Sequence, residues 1–133
     1  MQAPGTDVSK GYLNLEKNCG GTLLLHFQQV PNKDRVLIPL DECKRIYCSH
    51  SMPRIVDPEI AEPVTWTVAY AIPIASLKNY CEVVEPKPNA DWRANFYKCA
   101  DDTSHPHWLT WSPIEAPEPD FHRPQSFGTL SFE

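Results

Sequence analysis

Short stretches in which apolar and polar residues alternate are the clearest pattern along the chain. Leu13 and Leu15 fall on one face of such a stretch, and Asn14 and Glu16 fall on the other. This period of two residues is typical of a half-buried β-strand. Turn-forming residues, Asn-Cys-Gly-Gly, follow, and a second apolar-rich segment comes directly after them. The sequence therefore predicts an antiparallel hairpin whose strands cover residues 11–17 and 22–28.

A longer alternating segment lies in the middle of the chain, at residues 64–72. The residues that share its more apolar face are Val64, Trp66, Val68, Tyr70 and Ile72. The pattern predicts a strand with this face in the core, so that Trp66 packs inside the protein rather than against a ligand. Pro73 ends the strand and suits the first turn of a short helix over residues 74–80.

Two strands are predicted in the C-terminal third of the chain. In residues 92–99, Ala94 and Phe96 lie on one side. The opposite side of that strand carries Arg93, Asn95 and Tyr97. Residues 127–133 are predicted to form the last strand. The residues of this strand that are expected to point inward are Leu130 and Phe132.

Proline content shapes the rest of the interpretation, since 14 prolines stand against 5 glycines. Prolines break helices and confine strands to short pieces. In residues 30–63 only a helical turn near 41–46 and a short strand at 46–49 are predicted. A length of 133 residues suits one domain, residues 1–133. About five strands, one short helix and long loops predict an all-β protein with the architecture of an antiparallel β-sandwich.

Charge and cysteine content exclude several classes of function. The net charge is −5 and the basic residues are not clustered, so neither nucleic acid nor a membrane is an expected partner. The five cysteines are odd in number and lack a C-x-x-C spacing, which predicts neither a zinc site nor a complete disulfide framework. A bridge between Cys43 and Cys48 is an alternative to free thiols that pack as small apolar groups. No cofactor motif is present.

The C-terminal third combines large aromatic residues with planar polar side chains, which is the composition of a sugar-binding site. The aromatic platforms would be Trp108 and Trp111, in a loop rich in proline. The polar groups, which lie on the polar sides of predicted strands, are Arg93, Asn95, Tyr97, Asn14 and Glu16. Alternatively, either tryptophan pins its loop to the core, as amphipathic aromatic residues often do.

Two other kinds of site are compatible with the same loop. His105 and His107 are two residues apart, and a metal site would need further ligands from His122, Asp101, Asp102 or Asp120. A glycoside hydrolase would need two of the acidic residues between positions 91 and 120 at a set separation. No spacing in the sequence selects such a pair.

Several long segments of the chain resemble the family 9 carbohydrate-binding-module-like proteins. The segments that carry the resemblance are residues 92–99, 104–108, 111–114, 121–122 and 127–133, together with 12–22, 46–59 and 63–73. The resemblance implies a β-sandwich that binds the end of a glycan chain, from a plant-type polysaccharide such as xylan or cellulose, and does not cleave it. Relatives are typically secreted to the extracellular or periplasmic space and attached to polysaccharide-degrading proteins.

The resemblance also implies roles for individual residues. Family members hold the sugar between two tryptophans, so Trp111, with Trp108 as its rival, would form one wall of the site. Asn95 and Lys98 would supply hydrogen bonds.

Related sandwiches hold haem, which makes a haem-binding domain an alternative, with Met52 and a histidine, or Lys98, as axial ligands.

The chain departs from the family pattern before Tyr12. The family normally has further strands there, including one that supplies the second tryptophan wall. We therefore expect an N-terminally incomplete domain with an exposed sheet edge, an incomplete site and only millimolar affinity, about −4 kcal/mol. A signal peptide is also missing from this chain.

Overall fold

The computed structural model describes residues 1–133 and contains ten short strands and two one-turn helices. In chain order they are β1 (Gln2–Ala3), β2 (Tyr12–Lys17), β3 (Leu23–Gln28), β4 (Val36–Leu37), α1 (Leu40–Cys43), β5 (Tyr47–His50), β6 (Val68–Ala71), α2 (Ile74–Leu77), β7 (Asp91–Ala94), β8 (Tyr97–Ala100), β9 (His107–Thr110) and β10 (Gly128–Ser131). Six strands form the main antiparallel sheet in the order β10-β7-β1-β2-β3-β4, while β5 pairs with β6 and β8 pairs with β9. The protein is an all-β sandwich, as predicted.

The two faces of the main sheet differ in chemistry because strand pairing places opposite residues on the same face. Leu13 pairs with Phe27 and Leu15 pairs with Leu25 on one face. That face belongs to the main core, whose fully buried members are Leu13, Leu25, Ile38, Ile46, Leu77 and Trp92. On the other face, Tyr12 pairs with Gln28 and Asn14 pairs with His26. These four side chains are buried as well, so the polar face is covered by protein.

The segment that follows β9 provides part of this cover. Phe127 packs edge-on against Tyr12, with ring centroids 5.7 Å apart, and both residues belong to a small second core with Ala3. His122 lies over His26, with ring centroids 6.2 Å apart and an angle of 24° between the rings. A polar layer is therefore enclosed between the main sheet and an irregular C-terminal segment.

Several predicted elements are confirmed. The hairpin of residues 11–17 and 22–28 corresponds to β2 and β3. The helical turn near residue 41 corresponds to α1, and the short strand that follows it corresponds to β5. Leu130 and Phe132 pack against the main core, as expected for the last strand. The structure has two helices instead of one, and the helix predicted at 74–80 ends at Leu77.

The strand predicted at residues 64–72 is largely wrong. Only Val68–Ala71 form a strand, opposite the four residues of β5, and the pairing ends after Thr67, whose carbonyl oxygen accepts from the Ser51 N–H. Trp66 is half-buried and lies outside both core clusters, so its assignment to the core is not confirmed. Tyr70 remains 39% exposed.

The strand predicted at residues 92–99 is divided in two. β7 joins the main sheet and β8 pairs with β9, with Asn95 and Phe96 between them. The proline-rich loop was expected to be irregular, yet it contains β9. The two-residue strand β1 was also not predicted, since so short a segment carries no periodicity. It lies inside the main sheet, between β2 and β7.

The cysteines form no disulfide bonds, and the helices are short. All five cysteines are free thiols, including Cys43 and Cys48. Each α-helix has four residues, so none reaches the length and apolarity of a membrane-spanning helix.

Candidate functional site

An open cavity of about 740 Å³ lies beside the polar face of the main sheet. Its walls come from the ends of β2 and β3, from β6, from β8 and from the segment after β9. The lining residues are Met1, Asn14, Leu15, Glu16, Lys17, Asn18, Thr22, Leu24, Asn32, Val68, Tyr70, Phe96, Tyr97, Cys99, Pro119, Asp120, Phe121 and His122. This volume is within the usual range for small-molecule sites. A second cavity, of about 140 Å³, is much smaller and has no aromatic lining.

Aromatic rings reach the cavity from separate parts of the fold. Tyr97 stacks on Phe121, with ring centroids 4.5 Å apart and an angle of 20° between the rings. Phe96 lies beside them and Tyr70 comes from β6, in a different sheet. Stacked or edge-on rings present flat apolar patches of the kind that sugar C–H groups cover. The loss of the second tryptophan wall, which the family resemblance implies, stays a prediction.

A chain of hydrogen bonds runs through the polar layer next to the cavity. The Tyr12 hydroxyl lies 2.6 Å from Gln28 Oε1 and 2.8 Å from His122 Nδ1. Because Gln28 Oε1 can only accept, the tyrosine donates to it and accepts from His122 Nδ1–H. His122 is thus the tautomer with its proton on Nδ1, and its Nε2 has no protein partner and is not a buried atom.

The remaining hydrogen bonds of the polar layer orient the Glu16 carboxylate. His26 Nε2 lies 3.1 Å from Gln28 Nε2 and 3.3 Å from Asn14 Nδ2, so it accepts from both amides. The Asn14 amide also donates to Glu16 Oε1 at 2.6 Å. Asn14 is only 2% exposed, whereas Glu16 is exposed in the cavity. A buried amide therefore orients a solvent-accessible carboxylate.

Burial changes the acid–base properties of this layer. Desolvation lowers the pKa of both His26 and His122, and nearby Arg35 adds to the effect, so both imidazoles are neutral at pH 7. Desolvation also raises the pKa of Tyr12 to about 12. The pKa of Tyr97 is raised for the same reason, and its buried hydroxyl has no hydrogen-bond partner in the protein.

The two predicted tryptophan platforms border the cavity without lining it. Trp108 pairs with Cys99, a lining residue, and both donate a hydrogen bond to the Asp101 carboxylate. Trp111 packs edge-on against Phe96, with ring centroids 5.6 Å apart. Trp108 is 43% exposed and Trp111 is 54% exposed. Both indoles thus keep a free surface next to the aromatic wall.

Three other predicted polar residues are held by the protein itself. Asn95 is completely buried, and its side chain bonds the backbone of Phe96 and Ser112. Arg93 donates from Nη2 to the Phe127 carbonyl oxygen. Lys98 Nζ lies 2.6 Å from His107 Nε2. None of the three lines the cavity, whereas Asn14 and Glu16 do.

Comparison with known proteins identifies the family of the chain. The family model described as "Carbohydrate-binding family 9" matches residues 4–132, almost the whole chain. The chain belongs to carbohydrate-binding family 9. No curated protein sequence matches the chain.

A solved structure is similar over most of this chain. It is the crystal structure of a "putative carbohydrate-binding protein" from Bacteroides uniformis ATCC 8492, which is 32% identical with a TM-score of 0.80. The match covers 99% of the present chain and 58% of the Bacteroides chain. The present chain therefore spans little more than half the length of that protein.

The cavity of this family 9 chain is formed partly by residues for which the sequence predicts other positions. Tyr70 was assigned to the core by its alternation, although it faces the cavity. The sequence offers His122 as a possible metal ligand and as part of the family resemblance, and Phe121 through that resemblance alone. The sequence signal for these two residues is that an aromatic residue and a histidine follow Pro119 and Asp120, in a segment too polar for a strand. Such a segment is typical of a loop that can carry site residues.

The alternative sites are not assembled. No group of three or more His, Cys, Asp or Glu side chains is placed to hold a metal ion. His107 Nδ1 donates to the His105 carbonyl oxygen instead. Asp101 accepts from Trp108, and Asp120 accepts from the His122 backbone and lies 2.9 Å from Arg123 Nε. Lys98, a candidate haem ligand, is engaged with His107.

Proposed function

We propose that this family 9 protein binds a saccharide in the 740 Å³ cavity, by aromatic stacking and hydrogen bonding. The observation that carries the proposal is the composition of the lining, where rings from two sheets stand beside an oriented carboxylate. One sugar ring would stack on the aromatic wall of Tyr97 and Phe121. Glu16 and His122 Nε2 would bind its hydroxyl groups.

The tryptophans would extend this wall. Trp108 borders the cavity at Cys99, so its exposed face is available to a second sugar unit. Trp111 supports Phe96 from behind and offers the rest of its surface at the margin. In this arrangement Asn95, Arg93 and Lys98 position the binding strands and do not contact the ligand. A glycan chain end is the ligand that we expect, and oligosaccharides of xylan and cellulose are the first to be tested.

Titration with xylo- and cello-oligosaccharides, followed by calorimetry and tryptophan fluorescence, tests the proposal. Tyr70→Ala should weaken binding by roughly three- to tenfold, because stacking contacts of this kind contribute about 0.5–1.5 kcal/mol. Tyr47→Ala is the matched control, since Tyr47 lies in the same two-stranded sheet, is 65% exposed and does not line the cavity. Equal loss in both variants, or no binding of any glycan, would contradict the proposal.

We also infer that the protein acts outside the cytoplasm, as part of a larger assembly that degrades polysaccharides. The longer Bacteroides chain supports a multi-part protein of this kind, and a glycan ligand supports an extracellular or periplasmic location. Cell fractionation of the native protein, followed by immunodetection, tests both points. A short cytoplasmic product would overturn them.

A further inference from the structure

Glu16 is the one carboxylate in the cavity without a protein cation. It takes part in none of the four ion pairs of the protein. Asp120, the other acidic lining residue, is paired with Arg123. A carboxylate without a partner usually turns freely in solvent. Glu16 does not, because the buried Asn14 amide donates to its Oε1 at 2.6 Å and is itself held by His26.

The cations nearest to the cavity are occupied. Lys17 Nζ lies 3.4 Å from the Ser49 carbonyl oxygen and 3.3 Å from that of Ala69. The Met1 amino group donates to the Asn95 carbonyl oxygen, and burial lowers its pKa to about 6, so it is mostly uncharged at pH 7. Neither amino group hydrogen-bonds Glu16, so its carboxylate stays open to a ligand. Lys17 keeps its positive charge, and Glu16 acts to raise the pKa of the Met1 amino group against the larger effect of burial.

A second acceptor lies in the same lining. His122 keeps its proton on Nδ1, where it donates to Tyr12, and this leaves the lone pair of Nε2 unpaired and accessible. The cavity thus offers an oriented carboxylate and an imidazole acceptor, and the amino groups of Lys17 and Met1 in its lining already donate to backbone carbonyl oxygens. An ammonium group, which has three donors and no acceptor, is complementary to such a site. A carboxylate ligand, which only accepts, is not.

We propose that the cavity selects saccharides that carry a free amino group, with the ammonium on Glu16, over neutral sugars, and that it disfavours uronic acids. This inference rests on the proposed function of the same cavity. Charge pairing at a solvent-accessible site contributes modestly, so the amine should improve affinity by roughly two- to fivefold over its neutral counterpart. The preference should shrink at high salt, because salt screens exposed charges.

The test compares four disaccharides of the same linkage at pH 7: glucosamine-type with free amines, its N-acetylated form, cellobiose and the corresponding uronic acid. Calorimetry should rank the free amine first and the uronic acid last. In Glu16→Gln the ratio of amine to N-acetyl affinity should fall to about one. Glu62→Gln, at an exposed residue outside the cavity, should keep the ratio of the unmodified protein.

The outcomes separate this inference from the proposed function. If cellobiose binds but the free amine binds no better, the amino-sugar preference is overturned while carbohydrate binding stands. If the ratio of amine to N-acetyl affinity is unchanged in Glu16→Gln, Glu16 does not bind the amine, even if amines are preferred. If none of the four disaccharides binds, the cavity is not the saccharide site and both proposals fail together.

Discussion

The Asn95 side chain pairs with the backbone of Ser112 in both directions. Its Oδ1 accepts from the Ser112 N–H at 2.8 Å, and its Nδ2 donates to the Ser112 carbonyl oxygen at 2.9 Å. The same Oδ1 accepts from the Phe96 N–H at 3.0 Å. The amide therefore joins the point where β7 ends to the segment that carries Trp111. This contact explains why the strand predicted through residues 92–99 is interrupted at Asn95.

Replacing Asn95 with alanine should destabilise the fold. The substitution leaves buried backbone groups of Phe96 and Ser112 without partners, and each such group costs about 1–3 kcal/mol. We expect the free energy of unfolding to fall by about 3 kcal/mol in urea denaturation monitored by circular dichroism. Asn79→Ala, at an exposed asparagine, should change it by less than about 0.5 kcal/mol. Similar values for the two variants would refute the role of Asn95 as a junction.

Asp101 should control the orientation of Trp108. Its two carboxylate oxygens accept from Trp108 Nε1 and from Cys99 Sγ. Asp101→Ala frees the indole, so we expect a shift in tryptophan emission with little loss of stability, because the pair is exposed. Affinity for cello-oligosaccharides should fall by roughly two- to threefold if Trp108 stacks on a sugar.

Asp102→Ala is the control for that experiment, since Asp102 is the exposed neighbour and makes no side-chain hydrogen bond. Its emission and affinity should match those of the unmodified protein. A normal affinity in Asp101→Ala, together with a shifted emission, would show that Trp108 does not contact the ligand.

Gly128 is required for the position of Trp111. A Cβ atom at Gly128 would lie 2.7 Å from Cζ3 of the Trp111 ring, closer than carbon atoms approach. Because the ring is more than half exposed, we expect Gly128→Ala to displace it from Phe96 at a cost of about 1 kcal/mol. NMR shifts of the Phe96 ring should report the displacement. In Gly5→Ala, where the Cβ would meet Val84 at 3.0 Å, these shifts should stay unchanged.

Stability should fall as the pH is lowered below about 7. The pKa values of His26 and His122 are lowered in the folded protein, so the unfolded chain binds protons first as the pH drops through its ordinary histidine value of 6.5. The Met1 amino group, with its pKa lowered to about 6, acts in the same direction at higher pH. Their contribution is fully present above these unfolded values and is lost as the pH falls. Urea midpoints at about pH 8 and about pH 5.5 measure the loss.

His122→Asn should reduce this pH dependence, because an asparagine amide can still donate to Tyr12 but does not titrate. His105→Asn changes an exposed histidine and should leave the pH dependence as it is. If His122→Asn retains the full dependence, the titration belongs to other groups.

Local alternation was a reliable guide where both strands of a pair are adjacent in sequence. The β2–β3 hairpin was predicted from the turn residues and from the two faces around Leu13. It failed where pairing depends on distant partners. Val64 continues the apolar face of Tyr70 in the sequence, yet it lies outside β6 because β5 offers only four residues to pair with.

The candidate site was predicted in part for the same reason. Asn14 and Glu16 were placed correctly on one polar face, because that face follows from periodicity alone. The sequence does not show that the Asn95 side chain is occupied and cannot reach a ligand, because its partner Ser112 lies 17 residues away. Nor does periodicity show that Phe121 meets Tyr97 across a loop.

The sequence by itself determined the all-β class, the central hairpin and, through its long motifs, the family. Those properties depend on composition and on neighbouring residues. The tertiary structure decided which polar groups remain free for a ligand. Burial and hydrogen bonding occupy Asn95, Arg93 and Lys98, and leave Glu16 and His122 open to the cavity. Folding places the aromatic residues Phe96, Tyr97 and Phe121 beside the polar face of β2, and together they line the cavity.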